Sequence, residues 1–375
     1  MNLIITINRL DMGGAARMVY ELVKNIDINI FTVKIVCIDG KTGSHLEDQM
    51  LNENFNIIFL KNPRLQKKSF FCKVINKLFS VFFDIVSITY LCKELSKLKP
   101  DIIHAHQYGI WAGFWSIRRK IPLITTVHSR PDGAFNRITE KIILRLCIFF
   151  HCIIFAAISE YNLELIKTYW HLDSKNSCYV NNGINISNFH FIPHETITFI
   201  NVSRQDKNKN QSLILRAFSR LYRENQSIPF KLYLVGDGDC HNLLVKEAEN
   251  LGISAQVIFT GYVSSSEQYL SDSDIYISSS NREGLSLSIL EAMAAGLPII
   301  STDAGGVRDL AGENGFLIPC NDENALYTAM KELRDNKELR LAKGKKSLEM
   351  VQDYSSLSMA KNYCAIYQEL VGAQN

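Results

Sequence analysis

Two acids and two bases in the second half of the chain have the types and spacing of a binding site. Glu283 and Glu291 stand eight positions apart in the stretch NREGLSLSILEAMAAGLPII, from Asn281 to Ile300, and Arg204 and Lys209 share one loop further upstream. Carboxylates accept from hydroxyls, and an acidic side chain is the usual partner of a ribose diol. An arginine fork and a compact lysine charge can together neutralise a departing diphosphate without a metal ion. Glycines add backbone N–H groups that approach a phosphate closely: Gly13-Gly14 before a helical run, Gly236 in GDGD, and Gly305-Gly306 in TDAGG. Taken singly, each has a structural explanation: a capping or surface glutamate, a solvated base, a glycine needed for tight packing.

The elements that must position these residues alternate. Leu3 to Ile7 reads as a buried strand, followed by a glycine turn and an amphipathic helix with Met18, Leu22, Val23 and Ile26 on one face. Phe31 to Ile38 and Ile57 to Leu60 read as further strands. Phe71, Val74, Ile75, Leu78, Phe82, Ile85, Thr89 and Cys92 recur at helical spacing, predicting one long helix or two in succession. Asp101 to His106 (DIIHAH) is a strand carrying His104 and His106, and Leu123 to Val127 is a strand ending at His128. A histidine at the carboxyl end of such a strand sits where open parallel sheets bind ligands, which sets His128 above His104 and His106 as a candidate. Ala156 to Ser159 and Val180 to Ile184 read as short strands, and a linker runs through Phe189, Pro193 and His194. The second half repeats the style. Thr198 to Val202, Phe230 to Val235, Val257 to Thr260 and Asp274 to Ser278 are strands, and Asn324 to Val371 is helical. Alternation of this kind predicts parallel sheets covered by helices, in two α/β domains with a cleft between them.

Composition narrows the classes. The 375 residues exceed one ordinary domain, and 47% hydrophobic with 21% charged residues fits a globular chain with a large core. A net charge of +3 does not point to nucleic acid, although Lys61 to Lys99 holds nine Lys/Arg against two Asp/Glu. Nine cysteines without a CxxC pair fit a reducing compartment better than a disulfide framework or zinc site. MNLIITI lacks the basic lead of a secretory signal, and the apolar run Leu146 to Ser159 is too short to span a bilayer. The expectation is a cytoplasmic protein. The basic helical stretch 67–99 reads first as a helix packed on a sheet with a solvated basic side, and second as a peripheral contact with the cytoplasmic face of the inner membrane.

In order along the chain, SRxxxxK, GDG, EGLSLSILEAMAAGLPII, DAGG and NGFLIP resemble the retaining family-4 glycosyltransferases of GT-B fold, with GGAAR, DIIHAH, TVHS and NNGI as wider-spaced counterparts in the first half. The resemblance implies two Rossmann-like doubly wound α/β domains facing a central cleft. The first, residues 1–190, would bind acceptor; the second, 191–355, the nucleotide-sugar; and residues 356–375 would form a helix crossing back to the first. It also implies that Glu283 contacts sugar hydroxyls and Glu291 the ribose, with Gly284, Leu285, Ser286 and Leu287 between them lining the donor. Arg204 and Lys209 would hold the diphosphate, Gly13, Gly14 and Gly236 would lie near the donor, and His128 near the reaction centre. Asn185 stands where the family pattern often has an acid, and Asp309 is a shorter acid than usual in GGxxE. Gln205, where an apolar residue is common, reads as neutral.

The implied reaction moves a sugar from a UDP- or GDP-linked donor to an acceptor hydroxyl, with retention and without metal or other cofactor. The acceptor would be a cell-surface or lipid-linked glycan, and no nucleic acid is involved. Asp237-x-Asp239 and Asp272-x-Asp274 formally match a cation-binding Asp-x-Asp motif but read as turn and capping residues. A non-catalytic nucleotide-sugar-binding scaffold at the membrane is the alternative.

Overall fold

The computed structural model describes residues 1–11, 13–61, 76–77, 79–128, 131–189, 196–224 and 229–373. Most of the basic stretch before residue 76, Leu78, Ser129 and the linker residues Pro193 and His194 lie outside these. The chain divides into two compact units, Met1–Gly183 with Ser356–Asn375, and Ile184–Ser355.

In the first unit the strands are β1 (Asn2–Ile7), β2 (Thr32–Cys37), β3 (Ile57–Phe59), β4 (Ile102–His106), β5 (Leu123–Val127), β6 (Ile153–Ala157) and β7 (Ser177–Tyr179). They form a parallel sheet in the order β3-β2-β1-β4-β5-β6-β7. Both faces are covered, so the central strands read as unbroken apolar runs such as LIITI rather than alternating ones. The final helix, Ser356–Gly372, packs on this sheet through Met359, Ala360, Tyr363 and Tyr367.

In the second unit β8 (Ile197–Val202), β9 (Phe230–Val235), β10 (Val257–Gly261), β11 (Ile275–Ser278), β12 (Ile299–Thr302) and β13 (Gly315–Ile318) form a parallel sheet ordered β10-β9-β8-β11-β12-β13. Phe199, Phe218 and Phe230 build part of its core edge to face, with Phe218 and Phe230 centroids 5.3 Å apart. The architecture is that of two Rossmann-like doubly wound domains. In each sheet the chain runs outward to one edge and returns to the centre, so a switch point falls between β1 and β4 and another between β8 and β11. Ligands of such sheets bind outside the carboxyl ends at those points.

Several elements differ from expectation. Ala156 to Ser159 is not a separate strand: β6 starts at Ile153, directly after the helix Ile138–Phe149, because a continuous apolar run hides where helix gives way to strand. The strand expected over Val180 to Ile184 lies earlier, at Ser177–Tyr179. The helix Ser80–Leu98 turns Asp84, Ser87, Leu91 and Leu95 inward and leaves Phe82 and Ile85 exposed. Asp84 fixes that orientation, accepting from Arg137 Nη1 and Thr139 Oγ1, each at 2.8 Å. Among the described residues no helix is long and apolar enough to cross a membrane.

Candidate functional site

The site in the second unit is built by loops on both sides of the β8/β11 switch point. After β8, Asp206 organises the turn: its carboxylate accepts from the backbone N–H groups of Asn208 (2.9 Å) and Lys209 (3.1 Å) and from Arg204 Nε (2.7 Å). Burial pushes the Asp206 carboxyl up, but the hydrogen bonds from Arg204 and the two backbone donors outweigh it and hold the group below its usual range. Arg204 is held to Asp206 by its guanidinium, through Nη2 (2.6 Å) as well as Nε, while its side chain stays 77% exposed. Lys209 points the other way. Its Nζ forms an ion pair with Glu283 Oε1, and both side chains are largely buried, at 21% and 12% exposure.

Glu283 follows β11 and is held at three points. Its N–H donates to Ala304 (2.8 Å), its carbonyl accepts from Gly306 N–H (3.1 Å), and Ser280 Oγ donates to its carboxylate (3.0 Å). The loops after β11 and β12 thus meet at a short bridge, Glu283 opposite Gly305. Gly306 has to be glycine there: a Cβ would stand 1.4 Å from the Gly284 carbonyl oxygen. The next helix is Leu287–Ala294, so it begins four residues beyond Glu283 rather than at it. Gly296, at φ +74°, ends it in the left-handed region. Ser286 occupies the N-cap position but does not cap the helix with its side chain; it shares a hydrogen bond with Ser288 instead (3.1 Å). First-turn N–H groups left without a side-chain cap are anion donors.

Glu291 lies one turn into that helix and accepts from Ser266 Oγ at 2.9 Å. Beneath both glutamates, Tyr276 on β11 donates to Ser288 Oγ (2.8 Å). Burial pushes the Tyr276 phenol well up, Ser288 opposes this, and the negative charges of Glu283 and Glu291 add to it.

Gln205 is the residue that sequence reasoning passed over as neutral. It is buried, its Nε2 donates to the Gly236 carbonyl (2.8 Å), and its Oε1 meets His241 Nδ1 (2.8 Å). Its own N–H and C=O bond to Asp237 and Cys240, both at 2.9 Å. It ties the Arg204 loop to the GDG loop, where Gly236 sits at φ +122° against the Ser203 carbonyl. No local pattern marks it, because its partner Gly236 lies 31 residues further on. Asp237 accepts from Gly238 N–H (2.7 Å), and Asp274 accepts from Thr198 N–H (2.8 Å).

Gly13, Gly14 and His128 belong to the first unit. Gly13 precedes the helix Gly14–Asn25, whose first turn has neither a side-chain cap nor an acid. His128 Nε2 lies 2.8 Å from His106 Nδ1, and the two rings stack at 5.1 Å. His104, on the same side of β4, contacts Thr126 Oγ1 (2.7 Å) and Tyr367 Oη (2.6 Å), and Thr126 contacts Tyr363 Oη (2.9 Å). His104 and His106 are thus buried polar groups in the carboxyl half of β4. Burial pushes His104 down to about 3 and His128 to about 4, with His106 well below the usual range. All three are neutral at neutral pH.

Neutrality forces a choice of tautomer. Buried His106 Nε2 has no hydrogen-bond partner among the described residues. If His128 donated to His106 Nδ1, the remaining proton of His106 would be an orphaned buried N–H, which folded proteins rarely contain. The reverse arrangement leaves only a bare lone pair there. On this ground we assign the shared proton to His106 Nδ1, donating to His128 Nε2, with the proton of His128 on Nδ1.

Two family models match the chain. Glycosyltransferase Family 4 covers residues 12–188, and Glycosyl transferases group 1 covers residues 184–350. The chain belongs to this glycosyltransferase family. Among its relatives is EpsD of Bacillus subtilis, named as a glycosyltransferase and 33% identical over 43% of this chain and 42% of that protein. The chain thus spans less than half of EpsD. N-acetyl-alpha-D-glucosaminyl L-malate synthase of Bacillus anthracis is 24% identical over 88% of this chain and 94% of that enzyme. The fold matches Anabaena Alr3699/HepE in complex with UDP at a TM-score of 0.81 and 15% identity, covering 98% of this chain and 100% of that one. It also matches sucrose-phosphate synthase from Thermosynechococcus elongatus at 0.80 and 19% identity, with full coverage of both. These solved structures place the fold in the GT-B class.

Proposed function

We propose that this glycosyltransferase moves a sugar, with retention and without a metal ion, from a UDP- or GDP-linked donor to an acceptor hydroxyl. The observation that carries the reading is the Lys209–Glu283 ion pair at the β8/β11 switch point, with Arg204, exposed but paired with Asp206, on the same loop. In this reading Arg204 and Lys209 hold the diphosphate and take up its charge as the glycosidic bond breaks. Glu283 accepts from the hydroxyls of the transferred sugar, and by pairing with Lys209 it ties sugar position to leaving-group charge. Glu291 accepts from the ribose, and Gly236, Gly284, Leu285, Ser286 and Leu287 shape the donor's bed. In the first unit, Gly13 and Gly14 supply backbone donors, and His128 offers Nδ1–H to the substrate. The bases on one loop support metal independence, since they supply the positive charge a cation would bring.

A lipid-linked or cell-surface glycan is the proposed acceptor, at the cytoplasmic face of the membrane. Among the relatives, an Escherichia coli galactosyltransferase is named for UDP-Gal and a GlcNAc-diphosphoundecaprenol acceptor, and it is 26% identical over 73% of this chain. The test is to incubate the purified protein and membrane lipid extract with a panel of nucleotide-sugars, with and without EDTA, and measure released nucleotide. Release from one donor unaffected by EDTA, with the anomeric configuration kept in the product, supports the reading. Loss with EDTA and return with manganese would replace it with a metal-dependent one. Donor binding without nucleotide release across a broad acceptor panel would favour a scaffold.

A further inference from the structure

We propose that the first unit docks on an anionic membrane interface through the outward face of two helices, Ser80–Leu98 and Ile138–Phe149. The helix Ile138–Phe149 is apolar on both sides. Its inner side supplies Ile143, Leu144 and Cys147 to the core, while Ile138, Ile142, Leu146 and Phe149 remain 59%, 53%, 38% and 74% exposed. A helix that carries large apolar side chains on its outward as well as its inward side calls for a second apolar phase. The helix Ser80–Leu98 adds Val81, Phe82 and Ile85, also exposed. The two helices meet where Asp84 binds Arg137 and Thr139. Those exposed side chains sit within three residues of Asp84, and Ile138 lies between Arg137 and Thr139, so the two apolar sets flank one junction.

Charge selects the occupant. Exposed Lys141 and Arg145 interleave with the apolar residues of the second helix, whose acid, Glu140, is buried. On the first helix Asp84 is buried in its pair with Arg137, and Glu94 is paired with Lys97. The face therefore offers apolar side chains and bases with no carboxylate left to oppose a negative surface. A second copy would bring the same bases against each other, whereas a bilayer with anionic headgroups satisfies both the apolar ridge and its charges.

This surface identifies the membrane contact of the proposed function, and it rests on that reading only there. Vesicle binding is read without any nucleotide-sugar, so failure here leaves transfer untested and failure of transfer leaves docking intact. The experiment is co-sedimentation of the full chain with vesicles of phosphatidylglycerol and phosphatidylcholine, against phosphatidylcholine alone. Two variants are compared: Ile142→Glu/Phe149→Glu and Lys141→Ala/Arg145→Ala. All four positions are exposed, and thermal melts check that the fold is kept. Binding to the anionic vesicles alone is expected. Each base near such a surface strengthens binding by about fivefold, so the double alanine variant should bind roughly 25-fold more weakly. The glutamate variant should lose binding. A wild-type chain that ignores anionic vesicles at low salt, or binding that both variants leave unchanged, overturns the proposal. So does a dimer in light scattering that Ile142→Glu/Phe149→Glu dissociates, which would assign the face to a second copy.

Discussion

Lys209 is where folding and chemistry can be separated by experiment. Lys209→Ala removes the partner of Glu283 and leaves its carboxylate with the Ser280 hydroxyl as a hydrogen-bond donor. Breaking a fully buried ion pair from one side costs about 3–5 kcal/mol. Here both side chains keep some solvent, 21% and 12% exposed, so we expect a loss of roughly 2 kcal/mol. For a unit of this size that corresponds to a drop of about 4–8 °C in Tm. In Lys209→Ala/Glu283→Ala no charge is stranded, and part of the stability should return, with a coupling energy of about 1–3 kcal/mol. Activity should not return. Loss of a charge acting on the leaving group is expected to lower kcat by about 10²–10³, as for removal of an oxyanion donor, and the double variant should be no faster. The assays are thermal unfolding of all four corners of the cycle and nucleotide release with the best donor of the panel. A folded Lys209→Ala enzyme with wild-type turnover would refute the charge role of Lys209, and strictly additive stability losses would refute the pair.

Three further outcomes follow from the same contacts. Gly306→Ala forces a methyl group onto the Gly284 carbonyl, so the Glu283 loop must shift; we expect a loss of about 1–3 kcal/mol and weakened donor binding by titration calorimetry, and an unchanged affinity would show that this loop does not shape the donor bed. Gln205→Leu leaves the Gly236 carbonyl and His241 without their amide partner, which should cost about 1–3 kcal/mol and raise the donor KM more than it lowers kcat, and equal kcat and KM effects would argue against a role in holding the GDG loop. His104 and His128 are held at about 3 and about 4 against an ordinary 6.5, so the native state binds fewer protons than the unfolded chain. The stability this gives is complete above about pH 6.5 and falls toward pH 4, by up to about 1.4 kcal/mol per pH unit for each histidine, least for half-buried His128. Denaturant midpoints at pH 7.5, 6 and 5 should decline together, His104→Gln should soften the decline, and a flat profile would refute the buried neutral histidines.

Sheet class was legible for a physical reason. Strands buried on both faces leave unbroken apolar runs, so LIITI and IYIS announce themselves, and their alternation with helical stretches leads directly to parallel sheets. Boundaries inside Ile142 to Phe155 were not legible, because a fully apolar run has the same appearance in helix and in strand. The orientation of the helix Ser80–Leu98 was not legible for a related reason. Periodicity shows that a stripe exists but not which side it faces, and a single buried acid, Asp84, settled the matter against Phe82 and Ile85.

The paired groups were the least legible part of the site. Glu283 and Lys209 stand 74 residues apart, and their union depends on β11 returning beside β8, a strand order that no local pattern encodes. Gln205 and His106 escaped for the converse reason. Each works through a neighbour, Gln205 through the Gly236 carbonyl and His106 through the tautomer of His128. Their residue types carry no chemistry of their own at those positions. A sequence motif marks the groups that touch a ligand, and the groups that aim them become visible only when the hydrogen bonds of buried polar atoms are followed to their ends.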